Sequence, residues 1–175
     1  RTVISFIAAN SRLPNQVVGD LQAQTAANNL IAQRIVELLR EYDLPNLKSF
    51  SDDLQARAEK AVRARIRAVP DGDYAAVVYS DGAYQELAIA VKITVSGENV
   101  HVDYTGTAGQ VRWGINAPFN LTRAETLYAL RLAFAPDIPV VEGAVAPFTV
   151  EAPLGCVLNP RRPAPTMIRV TVVQN

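Results

Sequence analysis

From Gln16 to about Tyr42 the apolar residues Val17, Leu21, Ile31, Ile35, Leu38, Leu39 and Tyr42 recur at helical spacing, with no proline and only Gly19 to interrupt them. Apolar side chains that return every three or four positions line one face of a helix, so a long helix is predicted here. Pro45 ends it. Ser51 offers a cap for a second helix, with Asp52 and Asp53 in the first turn, where the dipole favours carboxylates. That helix is expected to run to about Ala68, carrying a narrow stripe of Leu54, Ala58, Ala61, Val62 and Ile66. The short connection predicts an antiparallel helical hairpin buried along the Leu, Ile and Ala faces. Val3 to Ala9, just upstream, reads as a buried strand or the start of a helix.

After Pro70-Asp71-Gly72-Asp73 the rhythm changes. Leu87, Ile89, Val91, Ile93 and Val95 alternate with Ala88, Ala90, Lys92 and Thr94, the period-two pattern of a half-buried strand. Val100, Val102 and Tyr104 continue it beyond Ser96-Gly97-Glu98-Asn99, which predicts a β-hairpin. Tyr74 to Tyr79 reads as a third strand of the same antiparallel meander. A short helix is expected from a Thr122 cap, with Glu125 as its capping-box partner, through Phe134 to the stop at Pro136-Asp137-Ile138-Pro139. The proline-rich remainder allows short strands and irregular chain but no long helix. The fold class is therefore α+β: a long helical hairpin followed by an antiparallel sheet with one short helix packed on it. Residues 1–70 form the helical region and 71–175 the sheet region, expected together as one compact unit, with both ends resembling cuts from a larger protein.

Composition narrows the function classes. The 17 basic and 17 acidic residues cancel, so no overall field favours nucleic acid or an anionic membrane. No apolar run approaches the roughly 20 residues that span a bilayer. The single cysteine cannot form an internal disulfide, which fits a reducing compartment, and a cytoplasmic location is expected. With one histidine and one cysteine far apart, no metal-ligand spacing exists, nor any phosphate-binding glycine loop or nucleophile elbow.

The unusual stretch is Asp103-Tyr104-Thr105-Gly106-Thr107-Ala108-Gly109-Gln110, running on to Trp113-Gly114-Ile115-Asn116-Ala117-Pro118. A glycine- and hydroxyl-rich bend leaving a strand can approach a ligand closely, and it can equally be a turn whose Thr and Asn satisfy backbone groups. Asp103, Thr105, Thr107 and Asn116 are the candidate pocket residues. Asp20 and Gln24, four apart on the first helix with Asn28, are candidates to face the pocket. Alternatively, that polar stripe is solvated, a buried hydrogen-bonded seam or a subunit contact. A general-base role is open only for Asp103, since a strand-end Asp is commonly a turn former. His101, between Val100 and Val102, reads first as a surface residue, and Cys156, after Gly155, as a buried structural thiol. Arg57, Lys60, Arg63, Arg65 and Arg67 read as a solvated face before a phosphate or partner patch.

Several blocks then follow in a recognisable order. They are Asn10-Ser11-Arg12-Leu13-Pro14; Gly19-Asp20-Leu21-Gln22-Ala23-Gln24 with Ala26-Ala27; Pro70-Asp71-Gly72-Asp73-Tyr74; Val102-Asp103-Tyr104-Thr105-Gly106-Thr107; and Gly114-Ile115-Asn116-Ala117-Pro118. Tyr128-Ala129-Leu130-Arg131, Pro153-Leu154-Gly155-Cys156-Val157-Leu158-Asn159-Pro160 and Arg162-Pro163-Ala164-Pro165 complete the string. It resembles the hydantoinase B/oxoprolinase family, which includes the B-type subunits of N-methylhydantoinases, a half of 5-oxoprolinases and one component of acetone-type carboxylases.

The resemblance implies an internal piece of a B-type subunit in an ATP-dependent hydrolase that opens small cyclic amides such as hydantoin or 5-oxoproline. Its implied partners are an actin-like A-type ATPase subunit or half and the remainder of the B-type subunit. Phosphorylation of the amide oxygen by the A-type component would make that oxygen a leaving group. ATP and a divalent metal are implied for the complete complex, and no cofactor within this piece. B-type subunits of the family carry an Asn-Asp-Pro segment and a Gly-Gly/His/Asp segment with metal ligands upstream, and this chain has neither. A wall of the substrate cavity, a scaffold or interface domain without chemistry, and a piece of a ketone carboxylase are all compatible with the resemblance.

Overall fold

The computed structural model describes residues 3–82 and 84–167. Its elements, in chain order, are helices α1 (Val3–Ala9), α2 (Pro14–Glu41) and α3 (Lys48–Ile66), then strands β1 (Gly72–Asp81), β2 (Glu86–Ser96) and β3 (Asn99–Asp103). Helix α4 (Phe119–Phe134), a 3₁₀ turn (Glu142–Ala144) and β4 (Phe148–Glu151) follow. The chain divides into two compact units, Arg1–Phe50 and Ser51–Asn175.

In the first unit α1 packs on α2. Pro14 stands at the start of α2, where its fixed φ suits a helix and its missing N–H costs nothing. The far end closes as a Schellman motif. Asp43 takes a positive φ of 49°, Leu44 N–H donates to the Leu39 carbonyl at 2.8 Å and Asp43 N–H to the Arg40 carbonyl at 3.3 Å. Pro45 then bars any continuation. The burial expected along α2 is not found: no residue of this helix is buried, and Ile31 is 55% exposed, Ile35 and Leu38 40% each. Within the unit the reason is length. The 7-residue α1 spans roughly 10 Å, against roughly 42 Å for the 28-residue α2. Val3–Ala9 is helical as one of its two readings has it, but without a buried residue.

Helix α3, most of which belongs to the second unit, begins before the expected Ser51, because the Asn46 side chain accepts the Lys48 N–H at 2.8 Å and starts the turn earlier. Its stripe holds: Ala58, Val62 and Ile66 are buried, clustering with Val95, Val100 and Val102 from the sheet and Leu127 and Leu130 from α4. The meander forms in the predicted order, from Gly72↔Val95 to Asp81↔Glu86 in the first pair and from Lys92↔Asp103 to Ser96↔Asn99 in the second. Gly97, at φ 59°, makes the tight turn. The sheet is not wholly antiparallel, however. β4 lies parallel to β3, with Val100 opposite Phe148, since α4 supplies the crossover a parallel neighbour requires.

One face of β2 serves two cores. Val95 joins the α3 and α4 cluster, with Val91 and Ile93 packed against it. Leu87 and Ile89 join Val111, Ile115, Ala117, Cys156, Val157 and Leu158. Tyr104 packs against both clusters, and its hydroxyl pairs with Thr126 Oγ1 at 2.7 Å. Helix α4 also starts earlier than the Thr122 cap predicts. Pro118 is the cap residue, Leu121 and Thr122 donate their N–H groups to its carbonyl, and Thr122 lies buried inside the helix, donating its hydroxyl to the Leu158 carbonyl at 2.7 Å. No capping box therefore involves Glu125.

The arginines of α3 and Arg67 just after it are mostly paired. Arg63 reaches Glu59 at 2.6 Å and Asn99 at 2.7 Å, and Arg67 reaches Glu98 at 2.7 Å. Arg65 grips Asp137 with two nitrogens, at 2.6 and 2.8 Å. The guanidinium hydrogen bonds hold the Asp137 carboxyl down at about 2. A carboxylate depressed in the folded state contributes stability above its ordinary titration range and loses that contribution as pH falls towards about 2. Carbon-detected titration is expected to place the Asp137 midpoint near 2, and Arg65→Gln to return it to the usual aspartate range. An unshifted midpoint in the parent chain would show that this pair does not persist in solution.

Candidate functional site

The glycine/threonine bend begins where β3 ends. Asp103 Oδ1 accepts the Thr105 N–H at 2.9 Å and the Thr105 hydroxyl at 2.7 Å. That hydroxyl first, then the N–H, lowers the Asp103 carboxyl below its ordinary value, which weakens it as a proton acceptor. Gly106 carries the chain through φ 98°. Thr107 then turns back onto β2, where its Oγ1 accepts the Ala90 N–H at 3.1 Å and donates to the Ala90 carbonyl at 3.0 Å.

The next residues interlock with the proline-rich segment. Val157 N–H donates to the Ala108 carbonyl, Gln110 N–H to Gly155 and Ala117 N–H to Val157, at 2.9, 2.9 and 2.7 Å. The Gln110 side chain accepts the Arg161 N–H at 2.6 Å. Asn116, with no exposed surface, centres this clasp. Its Oδ1 accepts the Val111 N–H at 2.8 Å, and its Nδ2 donates to the carbonyls of Val111, Trp113 and Pro165 at 2.8, 3.1 and 2.9 Å.

Past the clasp opens a cleft of about 730 Å³, lined on one side by Pro118, Phe119 and Asn120 at the start of α4 and on the other by Asn159, Pro160, Arg162, Pro163, Ala164 and Thr166. None of the six candidate residues lines this cleft. Asp103 and Thr105 are brought together, Thr107 is fixed to β2, and Asn116 reaches the cleft only indirectly, by holding Pro165. Asp20 and Gln24 are exposed on α2 in the first unit. The polar residues of the cleft, Asn120, Asn159, Arg162 and Thr166, escape sequence reasoning because nothing in the local pattern shows that residues some 40 positions apart share a wall. The Pro153–Pro165 block is visible only as part of a family string.

The two nucleophile or ligand candidates have structural settings. Cys156 is buried in the second core, which raises its thiol above the ordinary value and keeps it protonated. His101 pairs its Nδ1 with Thr149 Oγ1 at 2.9 Å, with Glu151 4.0 Å from Nε2. Among the described residues no group of three or more His, Cys, Asp or Glu is arranged to hold a metal ion. No described helix is long and apolar enough to cross a membrane.

The whole chain, residues 1–175, matches the model of the family described as hydantoinase B/oxoprolinase. The chain belongs to this family. It is 35% identical, over 97% of its length, to a protein of Pseudomonas sp. (strain NS671) provisionally named as the B-type component of a D-/L-hydantoinase, of which it spans 31%. It is also 31% identical to 5-oxoprolinase 1 of Arabidopsis thaliana over 84% of its length, and 13% of that protein. The ATP-dependent caprolactamase of Pseudomonas jessenii has a similar structure, with a TM-score of 0.81, 26% identity, and coverage of 98% of this chain and 32% of the other. An acetone carboxylase shares the fold at a TM-score of 0.73 and 15% identity, over 90% of this chain and 23% of that one. This hydantoinase B/oxoprolinase chain thus spans about a third or less of the relatives it matches.

Proposed function

We propose that this chain is part of the B-type subunit of an ATP-dependent hydrolase of cyclic amides, and that it walls the substrate cavity while the reacting groups lie elsewhere in the complex. The observation that carries this reading is the clasp. Of the polar side chains that look catalytic in the sequence, Asp103 and Thr105 pair with each other, Thr107 is fixed to β2 and Asn116 ties the bend to Pro165, and the cleft opens beside them. Likeness to a lactam hydrolase over nearly the whole chain supports the substrate class. In this reading ATP and the divalent metal belong to an actin-like A-type partner and to the remainder of the B-type subunit. Asn120 and Arg162 supply hydrogen-bond donors to a small polar ring. The family's carboxylase branch is the alternative, and bicarbonate-dependent product formation in place of ring opening would select it.

The test uses the complete complex. Asp103→Asn keeps an oxygen for the Thr105 donors, so kcat is expected within about twofold of the parent, whereas a general base would lose roughly 10²–10⁴-fold. Arg162→Gln is expected to raise KM for the cyclic amide with kcat nearly unchanged, the pattern of lost uniform binding. Turnover abolished by Asp103→Asn with assembly intact would assign that carboxylate a reacting role instead. Dissociation of the complex by either change would favour an interface domain, a reading to which the exposed apolar positions of α2 also lend support.

A further inference from the structure

Among the described residues β1 is the last strand on its side of the sheet. It pairs with β2 without a break over 10 residues, and between Asp73 and Asp81 contains no proline or charged residue. A free edge normally carries such residues, or a bulge, to keep other strands off. The opposite edge shows the contrast: β4 has 4 residues and is bracketed by Pro147 and Pro153. Both faces of β1 are also apolar and open. On the face continuous with Leu87 and Ile89, Tyr74 is 45% and Val78 38% exposed. On the reverse face the figures are 54% for Val77 and 62% for Tyr79. Only Ser80 is buried.

We propose that β1 is an inner strand of a wider sheet, and that its outer edge is taken by a strand from the same polypeptide beyond these 175 residues. This inference rests on family membership, not on the cleft or the substrate. The relatives have the chain to supply the strand, since this segment spans 31% of the Pseudomonas hydantoinase component and 32% of the caprolactamase chain. Charge argues against a second copy. Two-fold pairing of β1 with itself is antiparallel, and about the middle of Asp73–Asp81 it sets Asp73 opposite Asp81, or one place away, twice over. Lys92, 3.9 Å from Asp73, is already within the sheet. The incoming strand is expected to alternate apolar residues for both faces and to bring basic side chains near Asp73 and Asp81.

Hydrogen exchange on the full-length polypeptide, resolved to single amides over residues 73–81, tests this. On a free edge every second amide faces water and exchanges at nearly the unfolded-chain rate. With the edge filled, both alternating sets are expected to slow by ~100-fold or more. A photo-crosslinker at Val77 is expected to label the same polypeptide outside residues 1–175. Fast exchange at alternate amides would overturn the proposal. So would protection that vanishes on dilution to the monomer, which assigns a second copy, protection that appears only with the ATPase partner, or crosslinks confined to residues 1–175.

Discussion

Replacing Asn116 by alanine is expected to destabilise the unit formed by Ser51–Asn175 by about 3–5 kcal/mol, among the largest effects any single change here should have. The side chain is wholly buried and makes four hydrogen bonds. Truncation strands the Val111 N–H and the carbonyls of Val111 and Pro165, while the Trp113 carbonyl keeps the Ile115 N–H, and each buried polar group left unsatisfied costs roughly 1–3 kcal/mol unless water reaches it. Asn116→Asp should be at least as harmful at neutral pH, because it keeps the acceptor for Val111 but turns a carboxylate towards carbonyl oxygens. Trp113 is the chain's only tryptophan and its carbonyl is one of the acceptors, so its fluorescence in a urea titration reports the clasp directly. A midpoint change equivalent to less than about 1 kcal/mol, at unchanged slope, would show that these bonds do not order the segment.

Gly143→Ala is expected to cost about 3 kcal/mol, a large penalty for one methyl group. The 3₁₀ turn that carries Gly143 presses against α3, and Gly143 N–H donates to the Gln55 side-chain carbonyl. A Cβ there would run into the Gln55 backbone, meeting its carbonyl oxygen, carbonyl carbon and Cα. None of these is a flexible side-chain end that can swing away, so the turn or the helix must move. Gly19→Ala is the control, since a Cβ there meets nothing, and in a helix that change should be neutral or favourable by up to about 1 kcal/mol. Equal thermal shifts for the two variants would refute the close-packing argument.

The elements that sequence periodicity reveals are those whose burial is one-sided and continuous. Ala58, Val62 and Ile66 on α3, and the alternation from Leu87 to Val95 on β2, pack as their spacing predicts. Helix starts shift where a local group outranks the visible cap: Asn46 ahead of Ser51, Pro118 ahead of Thr122. β4 is illegible as a named strand because four residues between prolines are too few to show a period, and its parallel pairing depends on a crossover no local window contains. The stripe on α2 reads correctly as helical but wrongly as buried, since periodicity reports an apolar face without saying what covers it. The bend at 103–107 stands out by its composition. What composition cannot reveal is that Thr107 faces β2, or that Asn116 holds Pro165, 49 residues away.

That last bond has a consequence for the order in which the molecule is made. The β1–β3 meander closes through short turns and can form while the chain is still emerging from the ribosome. The wall of the cleft cannot, because Asn116 waits for Pro165, and Gln110 waits for Arg161. Val111, Ile115 and Ala117 therefore stay without the Cys156–Leu158 half of their core until late in synthesis. The interval after Gln110 has left the ribosome and before Pro165 has done so is the moment at which a chaperone would find the most to hold.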